Sequence, residues 1–194
     1  MAERWTEKAR TRLGEVMGRT LDEVTFLLPD GTEKKKYLLR EPSAAAVLAL
    51  TPDMQVIIAT QYRPGPDEIL YEMPGGFIED GEDPGDTAAR ELLEETGYEG
   101  TVEFAGSCWD DARSNARRYA YVARDCVLVA EQNLDPMEFV TVDLVSIERF
   151  KEIARNGLMT DVELAYRALD HLGLLTADNI APLPQGLAVP GPTS

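Results

Sequence analysis

Helices on both faces of a mixed β-sheet, an α/β/α sandwich with a small antiparallel β element ahead of it, form the fold class this sequence predicts. Three observations carry that prediction. Apolar runs of strand length recur along the chain, among them SAAAVLAL at 43–50 and QVIIATQ at 55–61. A helical stretch with clear start and stop signals interrupts the runs at 83–97, and two more follow the last of them, at 146–155 and 160–172. Strands that alternate with helices in this way pack as layers around one sheet. A chain of 194 residues is long enough for one such domain with a sizeable core.

The reading divides the chain into an N-terminal β element at 1–42, a main domain at 43–175 and a tail at 176–194. In the first segment, strand-forming residues from Asp22 lead to the turn Pro29-Asp30-Gly31-Thr32 and a second run at 33–39. Asp-Gly between such runs is a strong hairpin signal. A further strand pair is expected around 13–20. A sheet this small cannot bury a core alone, so it must pack on the main domain or on another subunit. Trp5 is a candidate either for stacking on a base or for anchoring a dimer. The main domain opens with the two apolar runs already named, joined tightly through Thr51-Pro52-Asp53-Met54. QYRPG at 61–65 and ILYEMPGG at 69–76 follow.

Next comes GFIEDGEDPGDTAARELLEETGY at 76–98. Asp83 is a good N-cap, Pro84 suits the first helical position and Asp86 complements the positive helix start. Gly97 supplies the left-handed residue that commonly ends a helix. Glu91 and Glu95 are four apart and Glu94 lies three after Glu91, so all three are surface neighbours. Like charges side by side destabilise a helix and ask for a cation. Arg90 can neutralise one glutamate; the others suit a hard divalent ion that prefers oxygen ligands. Most glutamate runs are solvated acidic faces. This one belongs to a longer pattern: Gly76, five residues, Glu82, seven residues, then Arg90, Glu91, Leu92, one residue, Glu94, Glu95, one residue, Gly97.

Beyond that helix, 101–107 and 119–130 read as strands. The polar stretch between them holds Arg113, Arg117 and Arg118, unusual in so acidic a chain. It is either a loop that carries specificity or a charged hairpin tip, and Arg113 is taken as its substrate-binding candidate. A loop at 130–136 leads to an alternating strand at 139–145, with Ser146 opening a helix. Asn156-Gly157 splits the last two helices. Val162, Ala165 and Leu169 are spaced for a core face. His171 is read as structural. From 176 the composition turns to Pro, Gly and small residues, which predicts a mobile tail.

The pattern at 76–98 resembles the Nudix box of the Nudix hydrolase superfamily. Every polar and glycine position is filled, and only Tyr98 stands where the family usually has an aliphatic residue. QYRPG and LYEMPGG resemble the QYRP and LLELPAG segments of the ADP-ribose pyrophosphatase branch. The N-terminal hairpin resembles the antiparallel sheet that this branch exchanges between two subunits. The resemblance implies the Nudix fold, a homodimer, and hydrolysis of the pyrophosphate bond of ADP-ribose or a related nucleoside diphosphate sugar to a nucleoside monophosphate and a sugar phosphate. It implies Mg²⁺, with Mn²⁺ as the alternative. By the same resemblance Glu91 and Glu95 are direct ligands, completed by the backbone carbonyl of Gly75. Glu94 is either a further ligand or the acceptor that fixes the arrangement, and Arg90 forms an ion pair holding the glutamates. Glu138, with Asp135 as the alternative, is a further metal contact or the base on water. Arg63 and Glu72 help hold substrate, and Phe77 joins them. One departure stands out: no proline lies between Pro84 and Pro136, where many of these pyrophosphatases carry a YPSPG-like run. GDP-mannose, a dinucleoside polyphosphate or an oxidised nucleotide therefore stay open as substrates, as does a non-catalytic ADP-ribose sensor.

Composition narrows the rest. A formal net charge of −16 argues against general nucleic-acid binding. A polyanionic substrate must then enter where cations and local arginines reverse the field. No apolar run approaches membrane-spanning length, and the charged start lacks a signal-peptide core, so cytoplasmic residence is expected. Cys108 and Cys126 are expected to be free thiols.

Overall fold

The structure, a computed structural model, describes residues 3–175. The stretch at 176–194, expected to be a mobile tail, lies outside the described residues. Strands β1 (Thr6–Val16), β2 (Arg19–Leu27) and β3 (Glu33–Arg40) form a three-stranded antiparallel sheet in that order. Met17 and Gly18, at φ 49° and 74°, make a two-residue turn whose twist matches the flanking strands. The Asp30 carboxylate accepts from the Thr32 amide at 2.9 Å and fixes the second turn, as its sequence predicts. This sheet is closed by charge as much as by apolar contact. Val24 and Asp22 are its most buried side chains, and Arg10 donates to Asp22 at 2.6 Å, with Arg40 at 3.5 Å and Arg12 at 3.8 Å. Leu13, Val16, Met17 and Leu21 remain exposed. The sheet is tied to the main domain where the Leu39 amide donates to Arg113 O at 2.9 Å and the Glu41 amide to Asn115 Oδ1 at 3.1 Å.

The main domain contains β4 (Ala44–Leu50), β5 (Val56–Arg63), β6 (Glu68–Glu72), β7 (Gly75–Phe77), α1 (Pro84–Thr96), β8 (Tyr98–Trp109), β9 (Arg117–Leu128), β10 (Thr141–Val145), α2 (Ile147–Arg155) and α3 (Val162–His171). Its sheet runs β10-β5-β4-β9-β8, with β6 paired to β5 and β7 to β4. β4 and β9 are parallel, while the other pairs are antiparallel, so the sheet is mixed. Period-two alternation along β4 builds both faces. Ala45, Val47 and Ala49 pack with Ala88 and Leu92 of α1. Ala46, Leu48 and Leu50 pack with Phe150 and Ile153 of α2 and with Leu164, Ala165 and Leu169 of α3. The expected α/β/α sandwich with its N-terminal β element is the observed fold.

Two short strands add to the pattern read from sequence. Gly75-Gly76-Phe77 carries no strand signal, yet it pairs with Ala44–Ala46 as β7. Glycine allows it: a Cβ on Gly75 would lie 2.4 Å from Ala45 O. Both cysteines are free. His171 Nε2 sits 2.8 Å from Glu103 Oε1 and ties α3 to β8, the structural role expected of it. Among the described residues, no helix is long and apolar enough to cross a membrane.

Candidate active site

α1 starts and stops where its sequence says it should. The Asp83 carboxylate accepts from the Gly85 amide at 2.8 Å, Pro84 is the first helical residue, and Gly97 caps the end at φ 74°. Between these stops the helix lays Glu91 and Glu95 against β7. The Gly75 amide donates to Glu95 Oε2 at 3.1 Å, and a Cβ on Gly76 would sit 2.2 Å from Glu91 Oε1. The glycine pair is thus the surface on which the two carboxylates rest.

A cleft of about 630 Å³ opens over them, walled by β7, the start of β9, the loop before β10, and the segment leading into α3. Glu95 is only 6 % exposed. Burial pushes its carboxyl up to about 8; the Gly75 amide opposes this, and the neighbouring charges of Glu91, Glu138 and Glu72 reinforce it. Burial also raises Glu91, against the pull of Arg90. Arg90 is the hub of the box. Its guanidinium donates to Glu82 at 2.9 Å, Glu91 at 2.8 Å and Glu94 at 3.0 Å, and reaches Phe77 O at 3.4 Å. Glu82 also accepts from Thr87 Oγ1 at 2.7 Å. Hydrogen bonds from Arg90 first, then from Thr87 and the Glu79 amide, hold Glu82 down at about 2.

Of the residues singled out in the sequence, Arg63, Glu72, Gly75, Phe77, Arg90, Glu91, Glu95 and Glu138 all line this cleft, and so does Asp135. Glu138 holds its loop through the Asp135 amide, which donates to Glu138 Oε2 at 3.2 Å. Arg63 and Glu72 grip each other: Arg63 Nε donates to Glu72 Oε1 at 2.5 Å, and Gln61 adds a bond to Oε2 at 3.0 Å. Glu94 and Arg113 are not among the lining residues. Glu94 answers Arg90, and Arg113 Nε pairs with Asp111 at 3.1 Å on the outside of its loop. Trp5 is also away from the cleft, edge-on to Phe26 at 5.8 Å.

Sequence reading did not single out Arg19, Glu41, Asp110 or Asp161, which line the cleft as well. Arg19 arrives from the N-terminal sheet and places its guanidinium 4.9 Å over the Phe77 ring. Nothing local in the sequence marks it. Asp161 looks like a helix cap, but its side chain makes no cap bond and instead pairs with Arg118. Burial raises it to about 6 despite that arginine.

Can these residues hold a cation? Among the described residues, no three His, Cys, Asp or Glu side chains converge as a ready-made metal cage. Glu95, however, is a buried carboxylate with no arginine or lysine in ion-pair range among the described residues, and Glu91 lies beside it with only Arg90. A buried carboxylate at Glu95 and a half-buried one at Glu91, with a deficit of positive charge, are a donor set suited to a hard cation. The residues fit the group.

Comparison with known proteins agrees with this geometry. The NUDIX domain family model matches residues 40–162. The chain is 30% identical over 180 residues to an ADP-ribose pyrophosphatase of Bacillus subtilis (strain 168), covering 91% of this chain and 96% of that protein. It is 36% identical over 107 residues to an ADP-sugar pyrophosphatase of Mus musculus, covering 48% of this chain and 49% of that one. A crystal structure of an ADP compounds hydrolase superposes with a TM-score of 0.74 at 16% identity, covering 90% of this chain and 99% of that one, a likeness of fold.

Proposed function

This chain belongs to the Nudix hydrolase family, and from that premise we propose that it cleaves the pyrophosphate bond of ADP-ribose or a related nucleoside diphosphate sugar with the help of Mg²⁺ or Mn²⁺. Water adds its hydroxyl to one phosphorus, the bridging P–O bond breaks, and a nucleoside monophosphate and a sugar phosphate leave. The single observation that carries the reading is the placement of Glu91 and Glu95 against Gly75-Gly76 on the cleft wall. The near end-to-end match to a protein named for ADP-ribose supports this substrate class.

Glu91, Glu95 and the Gly75 carbonyl would hold the cation. Mg²⁺ usually binds through one or two carboxylates plus substrate phosphates and water, so a two-carboxylate site suits it. When bound, such an ion shields phosphate charge and makes water more acidic. Arg90 holds Glu91 and Glu94 as ordered acceptors. Glu94 acts through that arginine. Glu138 stands in the loop opposite α1, near enough to raise both box carboxyls, and takes the proton of the attacking water. Arg63 and Glu72, locked together, present a rigid edge to the substrate, and Phe77 offers it a ring.

The exposed apolar side chains of the N-terminal sheet support the reading that it packs against a second copy in a homodimer. The missing YPSPG-like run keeps GDP-mannose, dinucleoside polyphosphates and oxidised nucleotides on the test panel. Product identification after incubation with each compound and Mg²⁺ decides between them. AMP and ribose 5-phosphate from ADP-ribose, at the highest kcat/KM of the panel, is the expected result. Turnover of none of these compounds would overturn the reading.

A further inference from the structure

Five arginines line the cleft: Arg19, Arg63, Arg90, Arg117 and Arg118. An anionic substrate entering a protein of net charge −16 needs at least one of them uncompensated. Four are committed to carboxylates. Arg19 has Glu41 at 3.5 Å, Arg63 is forked onto Glu72, and Arg90 is shared by three glutamates. Arg118 is held by Asp161 and Glu163, with Asp110 at 3.8 Å. Arg117 differs from all of these. Among the described residues no carboxylate lies in ion-pair range of it. Its guanidinium is oriented by neutral partners alone: one terminal nitrogen donates to Ser107 Oγ at 2.6 Å, and its Cζ lies 4.6 Å from the Trp109 ring centroid. Its backbone amide donates to Ser43 Oγ at 3.0 Å, which pins the start of β9 beside β4.

We propose that Arg117, held by Trp109 and Ser107, is a substrate-binding residue that receives a phosphate oxygen of the nucleoside diphosphate. The proposal rests on reading the cleft as a nucleoside diphosphate site. A guanidinium already aimed by a ring and a hydroxyl loses little freedom on binding, and its remaining N–H groups match a phosphate edge. Lysine would keep the charge but lose the forked array of N–H donors. The sugar end of the substrate is then left to the carboxylate-paired arginines.

Trp109 itself supplies the readout. The chain has two tryptophans, so in a Trp5→Phe background the tryptophan emission comes from Trp109 alone. The probe is α,β-methylene-ADP with Mg²⁺, a nucleoside diphosphate whose bridge resists hydrolysis, with adenosine as the phosphate-free comparison. The expected result is a change in Trp109 emission on titration, an affinity about tenfold weaker in Arg117→Gln, partial recovery in Arg117→Lys, and no effect of either change on adenosine. Arg124→Gln, on the far end of the same strand and paired with Glu103, should bind like the parent. Equal affinity in Arg117→Gln, a loss shared by Arg124→Gln, a loss seen equally with adenosine, or no binding by the parent would each overturn the proposal. Phosphate capture by Arg117 without turnover of any panel compound would leave this assignment standing and remove the hydrolytic one.

Discussion

Glu82 and Glu95 are the same amino acid in one short stretch, yet they carry opposite shifts. Glu82 faces Arg90, Thr87 and the Glu79 amide, and is held at about 2. Glu95 faces the interior, and burial lifts it to about 8. Environment, not residue type, sets the character of each: one organises the arginine, the other is a buried carboxylate with no guanidinium in ion-pair range among the described residues. The first shift has a testable sign. An unfolded chain takes up a proton at Glu82 near the ordinary glutamate value of about 4.3, while the folded chain keeps it ionised to about 2. Stability from this group is therefore fully present above roughly pH 5 and is lost as pH falls toward 2. Thermal unfolding of wild type and Glu82→Gln should show a Tm gap that is widest near neutrality and narrows steadily below pH 5. A gap independent of pH would remove the ion-pair account of Glu82.

At the scale of elements, β7 and α1 form one device, and its two glycines have separable jobs. Added bulk at Gly75 meets main chain, Ala45 O at 2.4 Å, whereas at Gly76 it meets the Glu91 carboxylate at 2.2 Å. Gly75→Ala is accordingly expected to cost about 1–3 kcal/mol of stability, as overpacking does. Gly76→Ala should lose activity while unfolding near the parent Tm, because a side chain can swing aside and a strand cannot. Denaturant unfolding paired with rate measurements checks both, and the reverse assignment would count against the geometry. The same pair shows what the sequence could and could not announce. Helix stops are local chemistry, so Asp83, Pro84, Gly97 and the Ser146 cap were readable directly. The apolar run that becomes β4 was readable for the same reason. β7 was not, since two glycines have no strand propensity and the pairing is decided by how close β4 can come. The sequence reading took Arg113 as the substrate candidate, with nothing local to rank it above Arg117 or Arg118. All three sit in one polar stretch, and only the fold turns Arg113 outward onto Asp111 while turning the other two into the cleft.

Over the whole molecule, an acidic body surrounds a cleft where arginines and carboxylates are interlocked. The N-terminal sheet reaches that cleft through Arg19 over Phe77, so an element too small to fold alone still shapes the site. In the proposed function, that acidity disfavours a polyanion everywhere except where a cation would sit. That cation is the centre of the account, and its binding can be measured without any assumption about substrate. Mn²⁺ titration followed by electron paramagnetic resonance, on wild type, Glu91→Gln and Glu95→Gln, gives the answer directly. Because losing even an outer supporting group typically weakens metal affinity about 10–100-fold, each substitution should weaken Mn²⁺ binding by at least about tenfold and suppress ADP-ribose hydrolysis with it. Undiminished Mn²⁺ affinity in both variants would contradict the account.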